Sequence, residues 1–224
     1  MKPILLFDID GTLMHVKHAF TRNLISDILN DFGIRSNPLE DGSYSFAGRT
    51  DKEIFTKLIS AEKNSSQLYD KVREKYLYYM KHTFSTSDAD CIDGAMELVE
   101  FGKKEQYQMG LCTGNFRESA FYKVDAAGYQ NTFLFGGFGC NHADRKHLPA
   151  EASADFENLN GFSPAPDRFV VIGDTPNDIR CAKHFGAISV AVSTGSFTEK
   201  ELKESAPDIL VSDLRELIDH LPEM

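Results

Sequence analysis

The chain has 224 residues, a length that suits one domain, or one domain with a smaller insert. Its hydrophobic content of 42% and charged content of 26% are ordinary for a globular protein. A net charge of −10 argues against a surface that tracks DNA or RNA phosphates, so we expect no nucleic-acid partner. A small anionic substrate is still compatible with this charge, because a bound dication can reverse the local field.

Five short apolar runs predict buried strands, and each run stops at polar residues or glycine. The predicted strands are 3–7, 107–112, 132–135, 169–172 and 187–192. Helical patterns lie between most of them, at 94–104, 115–127, 148–159, 176–185 and 198–204. This alternation predicts an α/β fold, with a Rossmann-like parallel sheet core and helices on both faces. In such sheets ligands bind beyond the carboxyl ends of the strands.

The stretch 15–90 interrupts this alternation. It carries helical patterns at 17–32, 51–62 and 66–83, without a convincing buried strand, and turn residues at 37–38 and 41–42. Inserted between the first two strands, it is predicted to form an α-helical cap subdomain over the strand ends. Residues 1–14 and 91–224 would then form the catalytic core.

Two aspartates, Asp8 and Asp10, follow the first predicted strand directly, and Gly11 allows a tight turn after them. An aspartate that faces a phosphate dianion is repelled, so it can act as a nucleophile only if a cation neutralises the approach. Magnesium suits this need because it prefers oxygen ligands. Asp174 and Asp178, at a later strand-to-helix turn, would complete a Mg²⁺ site with Asp8 and Asp10.

Three motifs in this order resemble those of the haloacid dehalogenase-like hydrolases. They are the segments Asp8–Leu13 (DIDGTL), Leu111–Asn115 (LCTGN) and Gly173–Asp178 (GDTPND). The resemblance covers essentially the whole chain, since order and spacing agree from end to end. It implies a phosphatase that forms an aspartyl-phosphate intermediate.

The resemblance also implies a role for each position. Asp8 would attack phosphorus, and the Asp10 side chain would protonate the leaving oxygen and then deprotonate water. The backbone carbonyl of Asp10 would bind the metal. Thr113 and the N–H of Gly114 would hold a phosphoryl oxygen, and Asn115 would lie on the substrate side. Of the later pair, Asp174 would bind the metal directly, and Asp178 directly or through water.

One more family motif, which precedes GDTPND in the chain, supplies a cation that neutralises the nucleophile and the phosphoryl group. Many relatives carry Lys-Pro there, whereas this chain reads Asp144-Arg145-Lys146. Relatives with an Asp-Arg version use the arginine, so Arg145 is the predicted cation and Lys146 the alternative.

The segment Phe46–Asp51 resembles the substrate-facing cap loop of phosphoglycolate phosphatase-like members. Arg49 in this loop would bind a second anionic group of the substrate with its planar guanidinium. The alternative is an arginine that is solvated or paired with an acid such as Asp51. Phosphoglycolate is accordingly the first candidate substrate.

These features predict a Mg²⁺-dependent phosphomonoester hydrolase of small phosphorylated metabolites. A sugar-phosphate mutase of the same superfamily is one alternative, because it uses the same nucleophile and general acid. A non-catalytic phosphometabolite-binding regulatory protein is the other. The sequence leaves the oligomeric state open.

The expected compartment is the cytoplasm. The first apolar run is too short for a signal peptide, and no run approaches the roughly 18 apolar residues of a membrane span, so no membrane partner is expected. The four cysteines are widely separated and fit free thiols better than disulfides or a zinc site.

Overall fold

The computed structural model describes residues 2–34 and 44–221, so the turns predicted at 37–38 and 41–42 lie outside the described residues. The strands are β1 (Ile4–Phe7), β2 (Met14–Val16), β3 (Ala89–Cys91), β4 (Gln108–Thr113), β5 (Gly136–Phe138), β6 (Phe169–Gly173), β7 (Ile188–Val192) and β8 (Ile209–Val211). The α-helices are α1 (His18–Asp31), α2 (Asp51–Leu58), α3 (Ser65–Thr83), α4 (Ala95–Lys104), α5 (Arg117–Ala126), α6 (Leu148–Asn160), α7 (Pro176–Phe185), α8 (Glu199–Glu204) and α9 (Glu216–His220).

Six strands form one parallel sheet in the order β5-β4-β1-β6-β7-β8. Successive residues of β1 enter different hydrophobic clusters: Leu5 and Phe7 join one, and Ile4 and Leu6 join another. Because side chains alternate along a strand, these clusters lie on opposite faces of the sheet. Helices α4, α5 and α9 contribute to the first cluster, and α6 and α7 to the second. The predicted α/β fold is therefore confirmed.

The third predicted strand was wrong in position. Residues 132–135 are turn and extended chain, and β5 begins at Gly136. The glycines are needed because β5 runs very close to α6: a Cβ atom at Gly137 would lie 1.9 Å from the carbonyl oxygen of Leu148. The pair Gly136-Gly137 follows the predicted apolar run and forms the strand itself.

Helices α1, α2 and α3 pack around another hydrophobic cluster, which contains Ile28, Phe55 and Tyr76 and also takes in Phe116 from beyond β4. At the two ends of this stretch, β2 and β3 form a short antiparallel pair. These strands are largely exposed, which is why the sequence shows no buried strand there. Among the described residues, no helix is long and apolar enough to cross a bilayer.

Candidate active site

Three aspartates meet beyond the carboxyl ends of β1 and β6, which are neighbours in the sheet. Asp8 follows β1, and its N–H donates to Ile172 of β6 at 2.9 Å. Asp174 follows β6 directly, and Asp178 lies on the first turn of α7. Each of the three aspartates is less than 5% exposed, and one oxygen of each lies within 4.8 Å of the others.

The turn after β1 is shaped to admit Asp174. Gly11 has φ +91°, a conformation that favours glycine, and a Cβ atom there would lie 2.4 Å from Asp174 Oδ2. The buried hydroxyl of Thr12 donates to Asp174 Oδ1 at 3.2 Å. Gly11 and Thr12 thus bring the DIDGTL motif into contact with the GDTPND motif.

Asp178 caps helix α7 with one carboxylate oxygen and contacts Arg145 with the other. Its Oδ2 accepts from the N–H of Thr175 at 3.0 Å and from the Thr175 hydroxyl at 2.6 Å, which caps α7. Its Oδ1 lies 2.5 Å from Arg145 Nη2. The cap therefore fixes the side chain so that one oxygen faces the acidic cluster.

Arg145 is the cation that lies among these acids. Its guanidinium is also 3.0 Å from Asp8 Oδ1, and its side chain is only 6% exposed. Although burial acts to lower the pKa of Arg145, Asp178 and Asp8 hold it above its ordinary value. Lys146 points elsewhere: it is 45% exposed and pairs with Asp144 at 2.8 Å.

The electrostatics of the cluster fit a divalent cation. Burial raises the pKa of Asp8 to about 6, against the opposing charge of Arg145. Burial, followed by the charges of Asp178 and Asp8, raises the pKa of Asp174 well above its ordinary value. Three buried carboxylates with one cation are under-compensated, and oxygen donors are those that Mg²⁺ prefers. The donor set Asp8, Asp174 and Asp178 could hold such an ion.

A second group of polar side chains surrounds Asp10. Asn115 donates through Nδ2 to Asp10 Oδ2 at 2.7 Å and to Thr113 Oγ1 at 2.8 Å. Lys123, on α5, donates to both oxygens of Asp10, at 2.8 and 2.7 Å, and to Asn115 Oδ1 at 2.6 Å. Thr113 is fully buried. Asp10, Thr113 and Asn115 were singled out from the sequence, whereas Lys123 was missed.

A signal for Lys123 was present in the sequence. It stands three residues after Ala120 and one before Val124, both of which are core residues on α5. A charged residue on the apolar side of a helix requires a buried partner, and that requirement points into the site.

The loop before α2 lies against the strand ends. The N–H of Asp51 donates to the Gly114 carbonyl at 2.7 Å, and the Asp51 carboxylate accepts from the N–H of Phe116 at 2.8 Å. A Cβ atom at Gly114 would lie 2.0 Å from the carbonyl oxygen of Arg49. Stacking of Phe116 on Phe55, with ring centroids 5.7 Å apart, extends this contact.

Arg49 lies on this loop at the edge of the site. It forms an ion pair with Glu53 on α2, donates to the Ser45 carbonyl at 3.0 Å and stacks over Tyr44. The acid that pairs with it is therefore Glu53, whereas the sequence suggested Asp51. Its predicted contact with substrate requires the guanidinium to leave this pair, and it stays a prediction.

A cavity of about 310 Å³ lies between the loop, helices α1 to α3 and the strand ends. Its floor carries Asp8 and Asp174 of the acidic cluster and the group around Asp10. The opposite side is lined both by apolar side chains, such as Ile25, Phe55 and Tyr76, and by polar ones, such as His18 and Thr21. A cavity of this volume is large enough for a small metabolite.

Fold and site together define an α/β protein with a buried carboxylate cluster and a cation beyond the strand ends. The family model described as "Haloacid dehalogenase-like hydrolase" matches residues 5–192, and the chain belongs to this family. The family prediction made from the three motifs is thus confirmed.

Known relatives agree over nearly the full length. The chain is 24% identical to a phosphoglycolate phosphatase of Mesorhizobium japonicum, over 99% of this chain and 96% of that protein. It is 23% identical to the probable phosphatase IndB of Dickeya dadantii, over 97% and 93%. The crystal structure of CbbY from Rhodobacter sphaeroides in complex with phosphate has the same fold, with a TM-score of 0.73 and 18% identity over 97% and 96%. The predicted enzyme class, a phosphatase, is confirmed.

Proposed function

We propose that this phosphatase hydrolyses small phosphate monoesters with Mg²⁺, through a phosphorylated Asp8. The observation that carries the proposal is the cluster of Asp8, Asp174 and Asp178, three buried oxygen donors within 4.8 Å of one another with Arg145 between two of them. A lone aspartate would repel a phosphate dianion. A divalent cation held by this cluster, together with Arg145, would supply the positive charge that such an encounter needs.

In the first half-reaction a carboxylate oxygen of Asp8 forms a bond to phosphorus as the bond to the leaving oxygen breaks. Asp10 gives its proton to that oxygen. Thr113 and the N–H of Gly114 bind a non-bridging oxygen, and Arg145 neutralises charge beside Asp8. In the second half-reaction Asp10 takes a proton from water, which attacks the phosphorus and releases Asp8.

Magnesium, when bound, would neutralise charge on the phosphoryl oxygens and on Asp8. Its proposed ligands are the side chains of Asp8, Asp174 and Asp178 and the backbone carbonyl of Asp10. The burial of all three carboxylates supports this assignment, because buried like charges are costly without a counter-ion.

Residues 15–90 are proposed to act as a cap, and 1–14 with 91–224 as the core. A hydrophobic cluster built mainly by α1 to α3 supports this division. The hydrogen bonds of Asp51 to Gly114 and Phe116 would join the cap to the core. Opening would admit substrate, and closure would exclude water other than the attacking molecule.

A cytoplasmic location is proposed from the four cysteines, none of which is in a disulfide.

Phosphoglycolate is the proposed first substrate to test, on the likeness of the Arg49 loop and of the Mesorhizobium japonicum relative. Arg49→Ala is expected to raise KM for phosphoglycolate about tenfold, the value of one lost exposed charge contact. Ethyl phosphate, which has no second anionic group, serves as the matched substrate and should keep its KM. An unchanged KM for phosphoglycolate would remove Arg49 from substrate recognition.

The proposed function is tested by a panel of phosphorylated metabolites with Mg²⁺, for the wild type and Asp8→Asn. Inorganic phosphate should be released by the wild type and not by Asp8→Asn, because an amide is a very poor nucleophile. Asp167→Asn, at an exposed position, is the matched control and should retain full activity. Undiminished turnover by Asp8→Asn would show that another group attacks phosphorus.

The same panel separates the two alternative functions. Isomerised sugar phosphate without phosphate release would identify a mutase. Tight binding of a phosphorylated metabolite without turnover would identify a regulatory binding protein.

A further inference from the structure

Lys123 is an ionisable side chain in the site to which the proposed mechanism gives no role. It lies on the second turn of α5, and the residue is 6% exposed. Removing an ammonium group from water costs free energy unless the group is fully paired. An aliphatic side chain would fill the same space without this desolvation penalty. The contacts of Lys123 therefore deserve a functional explanation.

The ammonium group has three N–H donors, and the structure offers three acceptors. Two are the oxygens of Asp10, at 2.8 and 2.7 Å, and the third is Asn115 Oδ1, at 2.6 Å. No donor is left over for a phosphate oxygen. Lys123 thus differs from Arg145, which lies beside the nucleophile itself.

Asn115 joins Lys123, Asp10 and Thr113 in one hydrogen-bond network. Both of its N–H donors are used, one by Asp10 Oδ2 at 2.7 Å and one by Thr113 Oγ1 at 2.8 Å. Lys123 on its carbonyl side fixes which way the amide faces. The Asp10 carboxyl group, which is 40% exposed toward the cavity, is thereby held from α5 on one side and from the end of β4 on the other.

We propose that Lys123 is a positioning residue that holds the Asp10 carboxyl group in the orientation needed to protonate the leaving oxygen. This inference rests on the proposed function, since it takes Asp10 as the general acid and base. A carboxyl group that carries a proton on one oxygen still offers the other oxygen to Lys123. The orientation is therefore maintained in both half-reactions.

The proposal predicts a dependence on the leaving group. An alkyl phosphate needs a proton on its departing oxygen, whereas p-nitrophenolate departs without one. The quantity to compare is kcat/KM, because it covers the steps up to departure of the leaving group. Lys123→Met should lower kcat/KM about 100-fold for an alkyl phosphate and less than about fivefold for p-nitrophenyl phosphate, in line with the worth of a general acid.

Three further variants sharpen the test. Lys123→Arg keeps the charge and should recover most of the alkyl phosphate activity. Lys123→Gln keeps a hydrogen-bond donor without charge, and replaces Lys123→Met if that variant does not fold. Arg117→Met, an exposed position at the start of the same helix, should leave the ratio of the two substrates unchanged.

A double variant decides whether Lys123 acts through Asp10. Asp10→Asn already removes the acid, so adding Lys123→Met to it should cause no further loss on the alkyl phosphate. An equal loss on both substrates with a raised KM would make Lys123 a phosphate ligand and overturn the proposal. A further loss in the double variant would overturn it as well. A wild type that releases phosphate from neither ester would refute the proposed function itself.

Discussion

At the residue scale, the site pairs each of the two carboxyl groups proposed to be catalytic with its own cation. Arg145 lies beside Asp8, and Lys123 lies beside Asp10. The two cations come from different elements: one precedes α6, and the other is on α5. The proposed nucleophile and the proposed proton donor, only two residues apart in the chain, thus have different cationic partners, which favours separate roles for them.

Arg145→Met is expected to lower kcat/KM by about 100-fold, as the loss of one charge-stabilising donor does in other active sites. It should also lower the free energy of unfolding by about 3 kcal/mol in the absence of metal, because Asp8 and Asp178 lose their buried partner. Lys146→Met is the matched control, since Lys146 is exposed and pairs with the exposed Asp144. If Lys146→Met impaired turnover and Arg145→Met did not, Lys146 would be the cation that neutralises the nucleophile and the phosphoryl group.

Sequence reasoning found the acids more readily than the cations. Asp8, Asp10, Asp174 and Asp178 lie in motifs of fixed spacing just after strands, and the carboxyl ends of parallel strands meet at one edge of a sheet. Lys123 reaches Asp10 across 113 positions, through the packing of α5 on the sheet. Such a contact depends on the rotation of a helix about its axis, which a single sequence specifies poorly.

At the element scale, strands were predictable where apolar runs were long and buried. β1, β4, β6 and β7 lie within one residue of their predicted bounds. The strands that were misplaced or missed have only three residues each, and most are at sheet edges or partly exposed. Their pairing is decided by tertiary contacts, such as the close approach of β5 to α6, which hydrophobic periodicity does not encode.

The contact between the loop before α2 and the core contains a titrating group. Partial burial raises the pKa of Asp51 to about 6 from 3.8, although the Lys123 ammonium and the N–H of Phe116 oppose the shift. The folded protein thus binds this proton more tightly than the unfolded chain. The stabilisation is present below about pH 4 and is lost as the pH rises through about 6.

We therefore expect the free energy of unfolding of the wild type to fall more steeply between pH 4.5 and about 7 than that of Asp51→Asn. Urea unfolding in EDTA measures both, and the difference between the two proteins cancels every other titrating group. Asp167→Asn provides the control, since its exposed carboxyl group should leave the pH dependence at the wild-type slope. Parallel curves for wild type and Asp51→Asn would rule out Asp51 as the titrating group.

At the scale of the whole molecule, the site joins parts of the chain that are far apart in sequence. Asp8 and Asp174 are separated by 166 positions and are brought together because β1 and β6 are neighbours in the sheet. The sequence predicted that these aspartates share one metal site, and the pairing of β1 with β6 brings them to the same edge of the sheet. The electrostatic repulsion among the three buried carboxylates, however, can be inferred only from their burial and their distances in the structure. Binding of a dication should therefore stabilise the whole fold.

Magnesium at 100 times its dissociation constant is expected to raise the free energy of unfolding by about 2.7 kcal/mol, because the folded state binds the ion and the unfolded chain does not. Asp174→Asn should lose this increment and, in EDTA, be at least as stable as the wild type, since it removes one of three clustered charges. Urea unfolding with MgCl₂ or KCl at equal ionic strength measures the effect, and Asp167→Asn should behave as the wild type. A full increment in Asp174→Asn would mean that the ion is held elsewhere, because one buried ligand of this cluster cannot be removed without weakening a site built from it.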